Sequence, residues 1–317
     1  MFKLSYVITT FNKLPFLKQV MTRLLENIQQ DEEIVVTDGA STDGTVEYLN
    51  NLFQQGKIHQ FVSERDKGEP HGYNKGFLMA RGDLIKVITD DDSFYYPAIN
   101  DCKNFMLEHN EVDVMIGNTF NTQLEMFDDI KLQKDVEDRY LKWLSDGSCF
   151  SFTGLSLMIK KKSLALTGLF SCATLYPDSE FSLRITSIPT IIAWSSAAIV
   201  VRIDNPGSNM RNFGVKQNQL ETDRLFYYYD ANYRKNKNNL RSNVSKAIRS
   251  FLEKFIEPIS NNRKKINNSI KTNTSIDMDT HSNNLDYISD FYNRCDEYLS
   301  KYNSNTNNKI LVNKIIY

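Results

Sequence analysis

Three consecutive carboxylates, Asp90-Asp91-Asp92, follow an apolar run, Leu84-Ile85-Lys86-Val87-Ile88-Thr89, that reads as a buried strand. Carboxylates at the carboxyl end of a strand sit where open α/β sheets bind ligands. Clustered oxygen ligands suit a hard cation such as Mg²⁺ or Mn²⁺, usually shared with a phosphate. The same residues also suit a solvated acidic turn capping the helix that begins near Pro97. Taken alone, the triplet does not choose between these two uses. A second carboxylate stands in Tyr176-Pro177-Asp178-Ser179-Glu180, ahead of another helical stretch. Read from its own surroundings, Asp178 is an ordinary helix cap.

The elements needed to position such groups are legible upstream. Leu4–Thr9 is rich in strand formers, and Pro15 opens an amphipathic helix with Leu17, Val20, Met21, Leu24, Leu25 and Ile28 at helical spacing. Glu33–Thr37 reads as a second buried strand, followed by the turn Asp38-Gly39-Ala40-Ser41-Thr42-Asp43-Gly44-Thr45. A helix over about 46–53, a short strand at 59–62 and a helix carrying Tyr73, Phe77 and Leu78 lead into the strand before the triplet. Past Pro97 come a helix to about 108 and a strand at 112–116, with later strands at 151–159 and 191–201. Such alternation implies βαβ units and a mostly parallel sheet. The Asp38 turn is not G-x-G-x-x-G, so it carries no dinucleotide fingerprint.

Composition narrows the function classes. Of 317 residues, 24% are charged and the net charge is −1, which gives no basic field for nucleic acid. The four cysteines are scattered without C-x-x-C spacing, and the four histidines show no ligand spacing, so neither a disulfide framework nor a zinc site is expected. No run approaches the roughly 18 apolar residues that span a bilayer. The reading is a cytoplasmic protein without a signal peptide. From about Val215 the chain turns helical and tyrosine-rich, and near 261–284 it becomes polar enough to expect poor order. A basic amphipathic run with Arg241, Lys246, Arg249 and Lys254 suits either a lipid surface at the inner membrane face or a partner subunit.

Several motifs in register resemble the family 2 glycosyltransferases of bacterial polysaccharide biosynthesis. They are Thr9-Thr10-Phe11-Asn12, Asp38-Gly39 through Gly44-Thr45, Ser63-Glu64-Arg65-Asp66, Asn74-Lys75-Gly76, Ala80-Arg81-Gly82-Asp83 and the acidic triplet. The resemblance covers residues 4 to about 97, with a weaker echo to about 210. It implies a GT-A fold with a mostly parallel central sheet flanked by helices. The expected domain is residues 1–214, with a donor half to about 97 and an acceptor half after it, followed by a C-terminal helical extension, 215–317. It also implies a metal-dependent inverting transfer from a nucleotide-diphosphate sugar, a UDP-sugar by family frequency, to a saccharide or lipid-linked acceptor. By resemblance Asp90 and Asp92 hold Mn²⁺ or Mg²⁺, with Asp91/Asp92 as the rival pair. Thr9 and Asp38 hold the nucleoside with Asp66 beside them, Asn74 and Lys75 lie near the diphosphate, and Asp178 aligns with the catalytic base. Two positions depart from the family: Pro177 replaces its usual Glu, and Asp204-Asn205 stand where relatives place a His, in what reads as a polar surface loop. A nucleotidyltransferase is the competing enzyme class, but the first strand lacks the Gly-rich loop that grips a triphosphate. A non-catalytic sugar-binding or scaffold subunit is the third reading.

Overall fold

A computed structural model describes residues 2–124, 129–133, 136–205, 215–235, 237–238 and 285–313. Its strands form one sheet, β10-β9-β6-β8-β4-β1-β2-β3 along the main path. The first half comprises β1 (Leu4–Thr10), β2 (Glu32–Asp38), β3 (Gln60–Ser63) and β4 (Leu84–Ile88), all mutually parallel where they pair. Beyond β4 the pairing is mixed. β8 (Met158–Lys160) is antiparallel to both β4 and β6 (Val114–Gln123), and β6 runs parallel to β9 (Ile192–Asp204). β5 (Ser93–Phe94) adds an antiparallel pair to β9, and β7 (Lys131–Leu132) one to β6.

The two faces of the sheet follow from the period-2 alternation of its strands. Leu4, Tyr6 and Ile8 of β1, with Ile34 and Val36 of β2, enter one core; Val7 and Val35 enter the other. Because helices cover both faces, these strands are apolar on both sides, as the sequence reading expects of a buried parallel sheet. The first face carries α1 (Leu14–Asn27), α2 (Thr45–Gln54) and α4 (Tyr96–Glu108). The second carries α3 (Glu69–Met79), α5 (Val136–Asp146) and, after the single-turn α6 (Leu164–Thr167), α7 (Pro177–Thr186).

Gly72 and Gly76, one turn apart on α3, let that helix lie directly on β1. A Cβ on Gly72 would overlap the Thr9 hydroxyl, and one on Gly76 would overlap the Val7 side chain. Gly76→Ala is therefore expected to destabilise the protein by about 1–3 kcal/mol through overpacking. That cost outweighs the helix propensity of alanine, worth about 1 kcal/mol. Urea unfolding checks this; an unchanged or raised midpoint would refute the close approach.

The C-terminal segment differs from the expected separate extension. The last described helix, which we number α9 (Leu285–Asn305), buries Ile288, Phe291, Tyr292, Cys295 and Leu299 in the first core. β10 (Ile310–Val312) then pairs antiparallel with β9. Polar links reinforce the docking: Arg23 Nε of α1 donates to Asp296 (2.6 Å), and Ser93 Oγ donates to the same carboxylate (2.8 Å). The boundary expected at 214 therefore does not divide these elements from the core. α8 (Val215–Tyr229) also joins the fold, through Leu225 against Cys149 and Leu183 and through the Tyr229 hydroxyl, which donates to Glu180. The basic run at 241–254 and the polar stretch at 261–284 lie outside the described residues.

Candidate active site

The carboxyl ends of β1 and β4, and the loops leading into α3 and α7, open onto one cavity of about 1470 Å³. Thr9, Asp66, Asp90, Asp91, Asp92 and Asp178 all line it. The structure thus brings six of the nine residues singled out from sequence to one place, across 170 positions of chain.

The loop after β1 is built around Asn12, whose φ of 53° is a left-handed conformation that asparagine tolerates. Its N–H donates to Ser41 Oγ and its side-chain oxygen accepts from Thr42 N, each at 2.8 Å, tying the first two strand-to-helix loops together. This turn delivers Lys13 onto Asp91, with which it forms a tight ion pair. Burial works against the Lys13 charge, but Asp91, Asp90 and Asp92 together hold the ammonium strongly protonated. Asn205 Nδ2 donates to the same Asp91 oxygen at 2.8 Å. Asn205 is fully buried, so the surface loop expected there is instead a wall of the acidic site. Asp92 accepts from the Thr89 hydroxyl (2.5 Å) and from Ile203 N (2.7 Å), which fastens the triplet to β9.

All three carboxylates are buried. Burial first, and then the neighbouring Asp91, push both Asp90 and Asp92 well above the usual carboxylate range. Lys13, the ion-pair partner of the cluster, is taken by Asp91, and Asp90 and Asp92 face a cavity large enough for a nucleotide. Among the described residues no three His, Cys, Asp or Glu side chains are gathered as a complete metal cage. The donor set suits a divalent cation whose remaining ligands come from phosphate and water. Asp91 is the member of the triplet already committed to Lys13 and Asn205.

Asp178 sits in the first turn of α7, half-buried at the cavity wall. Burial raises its pKa, opposed by the Ser179 and Gly154 N–H groups and by Arg202 of β9. Arg202 also lines the cavity and acts on Asp92, so one guanidinium lies within electrostatic reach of both acidic groups. Glu180, two residues on, points away into a chelate with Arg184 (2.9 and 3.1 Å).

Three expected site residues do not reach the cavity. Asp38 is wholly buried, and its oxygens accept from Ser41 N (3.0 Å), Ser41 Oγ (2.5 Å) and Ser63 Oγ (2.6 Å). It shapes the turn, and Gly39 and Ala40 form the cavity wall in its place. Asn74 exchanges two hydrogen bonds with the Phe170 backbone (2.8 and 2.9 Å), latching α3 to the loop before α7. Lys75 pairs with Asp66 at 2.7 Å and with Glu64 at 3.3 Å, so it orients a lining carboxylate rather than facing the cavity itself. Sequence reasoning did not single out Lys13 or Arg202. Their only signal was position: Lys13 lies three residues past the end of β1, and Arg202 sits near the carboxyl end of β9. Trp194 is fully buried, and Trp143 Nε1 donates to Thr186 O (2.9 Å); both serve the core.

A parallel sheet half with helices on both faces, and an acidic cluster at its carboxyl edge, is the architecture of the GT-A fold. The sequence model of glycosyl transferase family 2 matches residues 5–164, half of the chain, and the chain belongs to that family. An uncharacterised glycosyltransferase of Haemophilus influenzae is 26% identical over 164 residues, covering 51% of this chain and 64% of that protein. The GalNAc(5)-diNAcBac-PP-undecaprenol beta-1,3-glucosyltransferase of Campylobacter jejuni is 30% identical over 100 residues, 31% of this chain and 32% of its own. The chain thus spans only part of these relatives. Among solved structures, S. aureus TarS 1-349 in complex with UDP-GlcNAc superposes with a TM-score of 0.51 at 16% identity, covering 67% of this chain and 62% of that one.

Proposed function

We propose that this chain is an inverting, metal-dependent glycosyltransferase that moves a hexose or N-acetylhexosamine from a UDP-sugar to a hydroxyl of a saccharide or lipid-linked acceptor. The observation that carries this reading is the shared cavity, with an acidic cluster on its β4 side and a second, basicity-raised carboxylate on its α7 side. Asp90 and Asp92 would hold Mn²⁺ or Mg²⁺, which when bound supplies positive charge against the diphosphate of the leaving group. Thr9, Asp66 and the Gly39-Ala40 wall border the space for the nucleoside. Asp178 accepts the proton of the acceptor hydroxyl as its oxygen bonds to the anomeric carbon from the face opposite the diphosphate. The anomeric C–O bond to phosphate breaks in the same displacement, which inverts the centre and releases the nucleoside diphosphate. The burial that raises the Asp178 pKa makes it a stronger base for this step. The lipid-linked option is supported by the C. jejuni relative, a glucosyltransferase named for its GalNAc(5)-diNAcBac-PP-undecaprenol acceptor. Among the described residues no helix is long and apolar enough to cross a membrane.

A nucleotide-sugar screen with Mn²⁺ or Mg²⁺ tests the class, reading nucleoside diphosphate release. Release from one donor, dependent on metal and acceptor, is the expected outcome. Pyrophosphate release from a nucleoside triphosphate and a sugar phosphate would instead establish a nucleotidyltransferase.

A further inference from the structure

Lys86 lies in the middle of β4, wholly buried, where an apolar side chain is the rule. Its three N–H donors have a built environment. Nζ donates to Val87 O (2.7 Å) and to Leu155 O (2.6 Å) and stands 5.0 Å from the centre of the Phe94 ring. Leu155 is the middle residue of the short 3₁₀ turn Gly154–Ser156, which connects to β8. That turn is closed by Leu157 N on Gly154 O (3.1 Å) and started by Thr153 Oγ1, which accepts from Leu155 N (3.3 Å). The N–H of its first residue, Gly154, favours the ionised form of Asp178. The turn passes so close to α7 that a Cβ on Gly154 would stand 3.4 Å from Asp178 Cβ. Residues 153–155 also line the cavity beside Asp178.

We infer that Lys86 is a positioning residue: from within the donor strand its ammonium clamps the 153–157 turn, which in turn holds the Asp178 carboxylate. The inference rests on the reading of Asp178 as the base. A lysine in this place costs desolvation, and burial pushes it down to about 7 against the pull of Cys102 of α4 and Asp92. An aliphatic residue would fill β4 without that cost but would take its two hydrogen bonds away from the Val87 and Leu155 carbonyls. The clamp adds a side-chain link between the strand that ends in the acidic triplet and the turn beside the proton acceptor, next to the backbone bond from Val87 N to Leu157 O (3.4 Å).

The test reads Asp178 directly and needs no donor. Aspartate-selective ¹³C labelling gives a carboxyl titration for each residue, and loss of one signal in Asp178→Asn assigns it. The other charged or titratable groups facing Asp178 are Arg202 of β9 and Tyr176 ahead of α7; they are left in place in every variant. Gly154→Pro removes the N–H at the first position of the turn, where proline is tolerated. The Asp178 midpoint is then expected to rise by about one unit, the scale of a lost N–H bond to a carboxylate. Lys86→Met is expected to move the midpoint in the same direction and to speed amide exchange at residues 155–157. Phe94→Leu, which weakens the clamp without removing the lysine, should give a smaller shift of the same sign and serves if Lys86→Met does not fold. A wild-type midpoint and wild-type exchange in Lys86→Met, or in Phe94→Leu in its place, overturns the inference. Full turnover in Asp178→Asn would instead overturn the catalytic reading and leave the clamp to be judged by the titration alone.

Discussion

Asp178→Asn is expected to lower the turnover number by about 10²–10⁴, the contribution of a positioned general base, while donor affinity stays within a factor of a few. The asparagine keeps the shape of the carboxylate, and its side-chain oxygen can still accept the Ser179 N–H that Asp178 accepts at 2.8 Å. The start of α7 should therefore survive. The wild-type pH profile supplies a second readout. The base works ionised, so activity falls as the pH drops through its folded pKa. Burial raises that pKa above the usual carboxylate value of about 4, so the acid limb should lie above it. Steady-state kinetics of both proteins over an acid-to-neutral series check this. A variant with an unchanged turnover number would remove Asp178 from the chemistry.

Asp90→Asn carries the other large effect. Asp90 belongs to a buried cluster of three carboxylates whose paired lysine, Lys13, is taken by Asp91, and it is the triplet member least committed to fastening the fold. Removing its charge should weaken Mn²⁺ binding in the presence of UDP, read by electron paramagnetic resonance. It should also lower kcat/KM by about 10² or more, since charge neutralisation by a metal is worth several kcal/mol in the transition state. Asp92→Asn should do similar damage to turnover but should also lower the unfolding midpoint. Its carboxylate takes the Ile203 N–H and the Thr89 hydroxyl that join β4 to β9. Equal Mn²⁺ binding by Asp90→Asn and wild type would contradict the assignment of the cation to this cluster.

The parts of the fold written in local pattern were legible in the sequence. Buried strands at 4–10, 32–38 and 84–88, separated by amphipathic helices, announced a sheet covered on both faces. A carboxylate cluster directly after such a strand could only fall at the sheet's carboxyl edge. What local pattern could not tell was which polar side chain the fold spends on itself. Asp38, Asn74 and Lys75 stand in motifs that look donor-facing, yet each is taken by a neighbour 3 to 96 positions away. Lys13 and Asn205 reach Asp91 from opposite ends of the domain, a pairing set by tertiary geometry alone. The C-terminal segment was read as helical, but its docking on the core was missed for a different reason. The polar stretch before it suggested a tail, although Ile288, Phe291, Tyr292, Cys295 and Leu299 already carried helical spacing. Its docking behind the triplet brings the buried Tyr292 hydroxyl, raised by burial and by the Asp91 charge, close to the acidic site.

Donor binding and turnover measured side by side on wild type, Asp90→Asn and Asp178→Asn test the division of labour across the cavity most directly. The account predicts that Asp90→Asn loses metal-dependent affinity for the nucleoside diphosphate. It predicts that Asp178→Asn binds donor and metal as wild type does but releases almost no nucleoside diphosphate in the presence of acceptor. Metal-dependent binding unchanged in Asp90→Asn, or acceptor-dependent release unchanged in Asp178→Asn, would contradict it.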